Sequence, residues 1–124
     1  MTAVPLRGST DEDTLESAVI EELATFGEDF LAQLVDQFLR ETDVLLAELR
    51  TARQIGDHLA VRSIAHSLKG SSSQLGGRRL ALSCDELEEK ATSPERLSTR
   101  EDDLHDVEKS YEELRRALTR HCVS

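Results

Sequence analysis

The sequence predicts an all-α protein, an antiparallel four-helix bundle with an additional short N-terminal helix. Only 3% of the 124 residues are aromatic and only two are proline, while leucine, alanine, glutamate and arginine are abundant. That composition is typical of helices packed by aliphatic side chains. Apolar residues also recur at helical spacing along most of the chain, and glycine-containing breaks divide the pattern into segments. A chain of this length is expected to form one domain with its own core.

The N-terminal residues differ from the rest. Residues 1–9 contain Pro5 and Gly8 without helical periodicity, so we expect a flexible tail followed by a single helical-bundle domain over residues 10–124. No apolar run approaches the roughly 20 residues that a membrane-spanning helix needs, and the N-terminus lacks the apolar region of a signal peptide. We therefore expect a cytoplasmic protein.

Two helices are predicted in the first half of the chain. Thr10 or Asp11 can cap a short helix that runs to about Thr25 and is ended by Gly27. A long second helix is predicted from about Glu28 to Ile55. The predicted buried positions are Leu15, Val19, Leu23 and Phe26 in the first helix, and Leu31, Leu34, Val35, Phe38, Leu45, Leu49 and Ala52 in the second.

The third helix has an ambiguous end. Gly56 stops the preceding helix and Asp57 caps this one. Propensity alone would end it at Gly70, with a loop after it. Because Ser72 and Leu75 keep the phase of the preceding apolar residues, we extend it to about Leu75.

Two more helices complete the predicted bundle. Gly76–Gly77 forms a tight turn before a fourth helix from about Arg78 to Ala91. Ser93-Pro94-Glu95 signals a helix start, and the last helix is predicted from there to about His121, with a heptad-like seam that suits a left-handed bundle. The predicted buried positions are Leu80, Cys84, Leu87 and Ala91, then Leu104, Val107, Tyr111, Leu114 and Leu118.

The charge distribution points to a protein partner. The net charge of -10 argues against nucleic-acid binding, which needs a basic surface. Residues 58–84 contain four basic residues and no acidic one, and so form a basic island, although chance clustering would give the same pattern. Such a basic island would attract an acidic partner surface and stabilise a phosphoryl group. Its members are Arg62, Lys69, Arg78 and Arg79.

Metal and disulfide sites are not predicted. Cys84 and Cys122 form no CxxC motif. Three histidines lack a lysine at i+3 followed by a glycine at i+4, and we treat them as structural or surface residues. They are His58, His105 and His121.

The candidate chemistry lies in residues 65–76, with the sequence AHSLKGSSSQLG. On a helical wheel His66 falls on a flank that points away from the apolar face, with Lys69 three residues later. Gly70 costs about 1 kcal/mol relative to alanine inside a helix, which suggests that something large must approach the backbone there. Taken alone, His66 would fit an ordinary surface histidine equally well.

This segment resembles the histidine-containing phosphotransfer (HPt) domain, whose pattern is approximately Ala-His-x-Leu-Lys-Gly-Ser-Ser/Ala, a short spacer and Leu-Gly. The resemblance extends over about three quarters of the chain. It implies a helical hairpin that carries the histidine, phosphorylation of His66, and exchange of the phosphoryl group with receiver-domain aspartates. Its further matching positions are Phe30, Leu34, Phe38, Leu45, Leu49, Leu80, Cys84, Leu87 and Glu88.

The resemblance also implies roles for neighbouring residues. Lys69 would pair with the phosphoryl oxygens, Gly70 would give steric access, and Ser73 could add a hydrogen bond. Glu88 would lie opposite His66 and could bond either the imidazole or Lys69, although it also fits a solvated acidic run. The predicted docking residues are Arg62, Ser67, Gln74, Arg78 and Arg79.

We therefore expect a phosphorelay intermediate rather than an enzyme with its own kinase activity, since the chain has no asparagine to serve as the usual Mg-ATP ligand. The expected partners are a response-regulator receiver domain and a sensor or hybrid histidine kinase, with Mg²⁺ on the receiver and no cofactor on this chain. We expect a monomer that binds neither nucleic acid nor membrane. The alternative is a helical adaptor or sequestering module that binds a receiver, or another acidic partner, without phosphotransfer.

Overall fold

The structure is a computed structural model that describes residues 13–97 and 102–122. This part of the chain is helical and contains no strand, which confirms the predicted fold class. No helix within it is long and apolar enough to cross a membrane. The helices are α1 (Ser17–Ala24), α2 (Glu28–Ile55), α3 (His58–Gln74), α4 (Arg78–Lys90), α5 (Pro94–Leu97) and α6 (Asp102–Cys122).

Four helices, α2, α3, α4 and α6, pack around one aliphatic core. The α3–α4 hairpin has the most extensive interface, and α2 and α6 close the bundle on its other side. Burying a leucine side chain fully stabilises the fold by roughly 1.5–3 kcal/mol relative to leaving it exposed. The largest fully buried side chains include Val35, Leu49, Val61, Leu68, Leu75, Leu80, Leu87, Val107, Leu114 and Leu118.

The junction between α2 and α3 follows the predicted signals. The α2 helix has the predicted bounds, and Gly56 ends it in the left-handed conformation with φ 77°. The Asp57 carboxylate then accepts a hydrogen bond of 3.1 Å from the backbone N–H of Ala60. The α3 helix continues through Gly70 and ends at Gln74, one residue before the predicted end, so a cap at Gly70 is excluded.

The turn between α3 and α4 is tightly packed. Gly76 has φ +81°, and a Cβ added there would lie 3.1 Å from the carbonyl oxygen of Glu16. The backbone N–H of Glu16 also donates a 2.8 Å hydrogen bond to the Gly76 carbonyl. A Cβ on Gly77 would lie 2.6 Å from Leu114. The turn therefore holds the segment before α1 on one side and α6 on the other.

The predicted first helix is interrupted in the structure and is partly wrong in phase. Asp13 and Thr14 are helical, but the helix is interrupted at Leu15 and Glu16, where the Glu16 backbone pairs with Gly76, and α1 then extends from Ser17 to Ala24. Ile20 is buried instead of Val19, and Phe26 is 69% exposed. The predicted caps and the predicted tail, residues 1–11, lie outside the described residues.

The predicted last helix is described at both of its ends. Helices α5 and α6 lie within the range of the predicted last helix, and residues 98–101 between them lie outside the described residues. The Ser93 hydroxyl accepts a 3.2 Å hydrogen bond from the Arg96 N–H, which confirms the helix start. In α2, Thr42 and Leu46 are buried although the sequence did not single them out.

Candidate functional site

The α3 helix has one face buried in the core and another face exposed to solvent. Val61, Ala65 and Leu68 are fully buried against the core. The side chain of His66 is 69% exposed. Its ring is therefore open to solvent while its backbone lies in the best-packed hairpin of the bundle.

Glu88, on α4, bridges His66 and Lys69. Its Oε2 lies 3.0 Å from His66 Nδ1, and its Oε1 lies 3.0 Å from Lys69 Nζ. Its own side chain is only 19% exposed. The sequence left open which of the two it would contact, and in the structure it contacts both.

The Glu88 contact sets the tautomer of the ring. An ionised carboxylate can only accept hydrogen bonds, so His66 Nδ1 must carry the proton and donate it. In the neutral imidazole the lone pair then lies on Nε2. The contact therefore leaves Nε2 as the nucleophilic atom of His66.

Lys69 has a second acidic partner that sequence reasoning missed. Its Nζ lies 3.0 Å from Asp85 Oδ1 as well as 3.0 Å from Glu88 Oε1. Asp85, followed by Glu88, raises the pKa of Lys69, and the ammonium of Lys69 holds the pKa of Glu88 below its usual value, with His66 adding to that effect. Asp85 precedes Glu88 by three residues, which places both on one face of α4. That spacing is the signal that could have identified it.

The backbone beside His66 is open at Gly70. A Cβ added there would meet no atom within 4 Å. The hydroxyls of Ser71 and Ser72 instead bond the Leu68 carbonyl within α3. Ser73 is exposed but lies seven residues after His66, about 10 Å along the helix axis. The space beside Gly70 is therefore open, and the roles of Gly70 and Ser73 in transfer stay predictions.

The basic island is partly neutralised by other elements. Arg78 and Arg79 lie 3.9 and 4.0 Å from the two carboxylate oxygens of Asp13. Lys69 is paired as described above. Of the four basic residues, Arg62 alone has no carboxylate within ion-pair distance in the described part of the chain. The charge pattern of the sequence therefore overstates how basic this surface is.

An open cleft of about 430 Å³ adjoins the imidazole. Leu59 lies two helical turns before His66 and is 63% exposed, which gives the cleft an apolar border. Gln74, also predicted for docking, is exposed at the end of α3. The lining residues are Leu59, Arg62, Ser63, His66, Ser67 and Glu88.

The other histidine of α3 and the buried cysteine of α4 have structural environments of their own. His58 Nδ1 lies 2.9 Å from the Ala91 carbonyl and ties α3 to the end of α4. Burial raises the pKa of the Cys84 thiol to about 12, which keeps it protonated and unreactive at neutral pH. Within residues 13–97 and 102–122, no cluster of histidine, cysteine and acidic residues could hold a metal ion.

Comparison with known proteins identifies the family. A search of curated proteins gives no match. Among solved structures, histidine-containing phosphotransfer protein B (HptB) from Pseudomonas aeruginosa PAO1 superimposes with a TM-score of 0.80 at 34% identity, over 86% of this chain and 92% of that one. The family model of the Hpt domain matches residues 33–120, which include α3, α4 and the His66 site. The chain therefore belongs to the Hpt domain family.

Proposed function

We propose that this protein is a phosphorelay intermediate that accepts a phosphoryl group on His66 Nε2 and exchanges it with aspartates of receiver domains. The observation that carries the proposal is the contact of Glu88 with Nδ1 on an exposed ring, because it leaves Nε2 unprotonated and accessible. Membership of the Hpt family supports a histidine phosphotransfer role in general. The finer assignment to Nε2 of His66 rests on the geometry.

The transfer step balances without a base on this chain. The Nε2 lone pair attacks the phosphorus of an aspartyl phosphate, the N–P bond forms, and the P–O bond to the receiver carboxylate breaks. Nδ1 keeps its proton, so the phosphorylated ring carries a positive charge that faces the carboxylate of Glu88. Because that ring is a good leaving group, the same arrangement allows the reverse step.

The surrounding residues supply position and charge. Gly70 lets the partner surface approach the α3 backbone, and Lys69 compensates the negative charge of the phosphoryl oxygens. We propose that the receiver brings its own Mg²⁺ for the developing charge. In this proposal a sensor or hybrid histidine kinase is the upstream partner, and the carrier acts as a cytoplasmic monomer.

The test is to incubate the purified protein with a phosphorylated receiver domain and to map the label. We expect acid-labile, base-stable phosphate on the peptide that contains His66, and none on His58, His105 or His121. Label on another histidine of a His66→Ala variant would contradict the site. A His66→Gln variant that preserves both receiver binding and signalling output would favour the adaptor alternative instead.

A further inference from the structure

The strongest unassigned relationship in the molecule is the pairing of Lys69 with Asp85. The Lys69 ammonium donates a hydrogen bond of 3.0 Å to Asp85 Oδ1 and forms an ion pair of 3.0 Å with Glu88 Oε1. Among the described residues, Asp85 forms its hydrogen bond and ion pair with Lys69, and the hydrogen bond of the His66 ring is to Glu88. Asp85 therefore acts on the site through Lys69.

Lys69 lies on the opposite side of the His66 ring from the expected phosphoryl group. Glu88 joins Lys69 to the Nδ1 side of His66, whereas the phosphoryl group would form on Nε2 across the ring. To reach that group from the Nδ1 side of the ring, the Lys69 ammonium would have to move away from at least one of its two carboxylates. Releasing Glu88 would also disturb the histidine, and releasing Asp85 would not.

We propose that Asp85 is a positioning residue that competes with the phosphoryl group for Lys69 and thereby weakens the retention of phosphate on His66. This inference rests on the proposed function. Asp85 is mostly exposed, so the competition is between a screened surface ion pair and a doubly charged phosphoryl group. Asp85 lowers the stability of phosphorylated His66 and favours transfer to the receiver.

The experiment compares wild type with Asp85→Asn, which keeps the shape of the side chain and removes its charge. Both proteins are phosphorylated with phosphoramidate, a small donor that needs no partner, and are then mixed with a receiver domain. We expect the transfer equilibrium to shift roughly two- to fivefold toward the phosphorylated carrier in Asp85→Asn, as suits an exposed ion pair. The ³¹P chemical shift of the phosphohistidine should also change as Lys69 approaches it.

The matched control is Glu86→Gln, which makes the same change of charge at the adjacent, exposed position on α4. It should leave the equilibrium at the wild-type value. If Glu86→Gln shifts the equilibrium as much as Asp85→Asn does, net charge is responsible and the proposal is wrong.

A double-mutant cycle with Lys69→Ala tests whether Asp85 acts through Lys69. The effect of Asp85→Asn should largely disappear in the Lys69→Ala background. An effect of equal size in both backgrounds would mean direct repulsion between Asp85 and the phosphoryl group, which overturns the positioning role. The two proposals can be contradicted separately. Absence of label on His66 in wild type would contradict the proposed function. Labelled His66 with the same transfer equilibrium in wild type and Asp85→Asn would contradict only this inference.

Discussion

His66 Nδ1 lies 3.0 Å from Glu88 Oε2, so α3 supplies an exposed imidazole and α4 supplies the carboxylate that orients it. The two residues are 22 positions apart in the chain and are brought together by the tight turn at Gly76–Gly77. The orienting carboxylate is mostly shielded while the imidazole remains open. The hairpin therefore fixes the tautomer of the ring without restricting access to Nε2.

Removing the Glu88 carboxylate should allow His66 to adopt its other tautomer. In Glu88→Ala we expect the Nε2–H tautomer of His66 to become populated and phosphorylation to slow, because Nε2 then carries a proton. ¹⁵N NMR of the imidazole measures the tautomer directly. Glu88→Gln is the control, since its amide oxygen can still accept from Nδ1–H. An Ala variant whose tautomer matches that of wild type would show that Glu88 does not orient the ring.

The Lys69–Glu88 ion pair should make the free energy of unfolding depend on pH in the acidic range. The pKa of Glu88 is held below its ordinary 4.5, chiefly by Lys69, so its stabilising contribution is complete above pH 4.5 and is lost as the pH falls through the lowered value. The pKa of Lys69 is raised above 10.5, so its contribution is lost only as the pH rises beyond that. Denaturant unfolding of wild type and Glu88→Gln should show a gap that is constant near neutrality and closes in acid. A gap that persists in strong acid would exclude the ion pair as its cause.

Filling the opening at Gly70 should separate stability from activity. A Cβ at Gly70 would meet no atom within 4 Å apart from its own helix backbone and chain neighbours, so Gly70→Gln should improve stability through helix propensity by a few tenths of a kcal/mol. Transfer to a receiver should nevertheless slow, because the side chain occupies the partner's approach. Unfolding curves beside single-turnover transfer rates measure both effects. Normal transfer by Gly70→Gln would mean that no partner packs against this backbone.

Local patterns predicted most of the bundle because its helices have continuous apolar stripes and explicit end signals. Gly56 and Asp57, for example, specify their junction through backbone conformation and a side-chain cap. Phe26 was misplaced because the helix phase was extrapolated through Glu16, whose backbone pairs with Gly76 far along the chain. That contact has no local signal.

The site was only partly predictable for the same reason. The spacing of His66, Lys69 and Gly70 is local and was visible, and the family resemblance indicated Glu88. The partner of Lys69 depends on how α4 is rotated against α3, which no single helix encodes. The sequence alone therefore places Asp85 in the acidic run of residues 85–89 and assigns it no partner.

The packing of the α3–α4 turn predicts that alanine substitution lowers stability more at Gly76 than at Gly56. Gly56→Ala and Gly76→Ala both place a Cβ at positive φ, which costs roughly 1–2 kcal/mol in each case. Only at Gly76 would the Cβ also crowd Glu16, at 3.1 Å, so Gly76→Ala should lower the free energy of unfolding more than Gly56→Ala does. Urea unfolding of both variants measures the difference. Equal losses would contradict the docking of the Glu16 segment on the turn.

Lys69 is the residue whose removal should most directly expose the role of charge in transfer. Lys69→Ala should keep the bundle folded, because Lys69 is not part of the apolar core, but it should slow phosphoryl transfer roughly tenfold to a hundredfold. Lys69→Arg should restore the rate only in part, since the guanidinium is larger and directs its protons differently.

Arg78→Ala is the matched control for Lys69→Ala. Arg78 belongs to the same basic island but faces Asp13, 3.9 Å away, rather than the His66 site. Its loss should weaken receiver docking in a salt-dependent way and leave the rate at saturating receiver unchanged. Single-turnover rates measured over a range of receiver concentrations separate docking from chemistry. If Lys69→Ala reaches the wild-type rate once the receiver saturates, Lys69 acts in docking alone and does not stabilise the phosphoryl group.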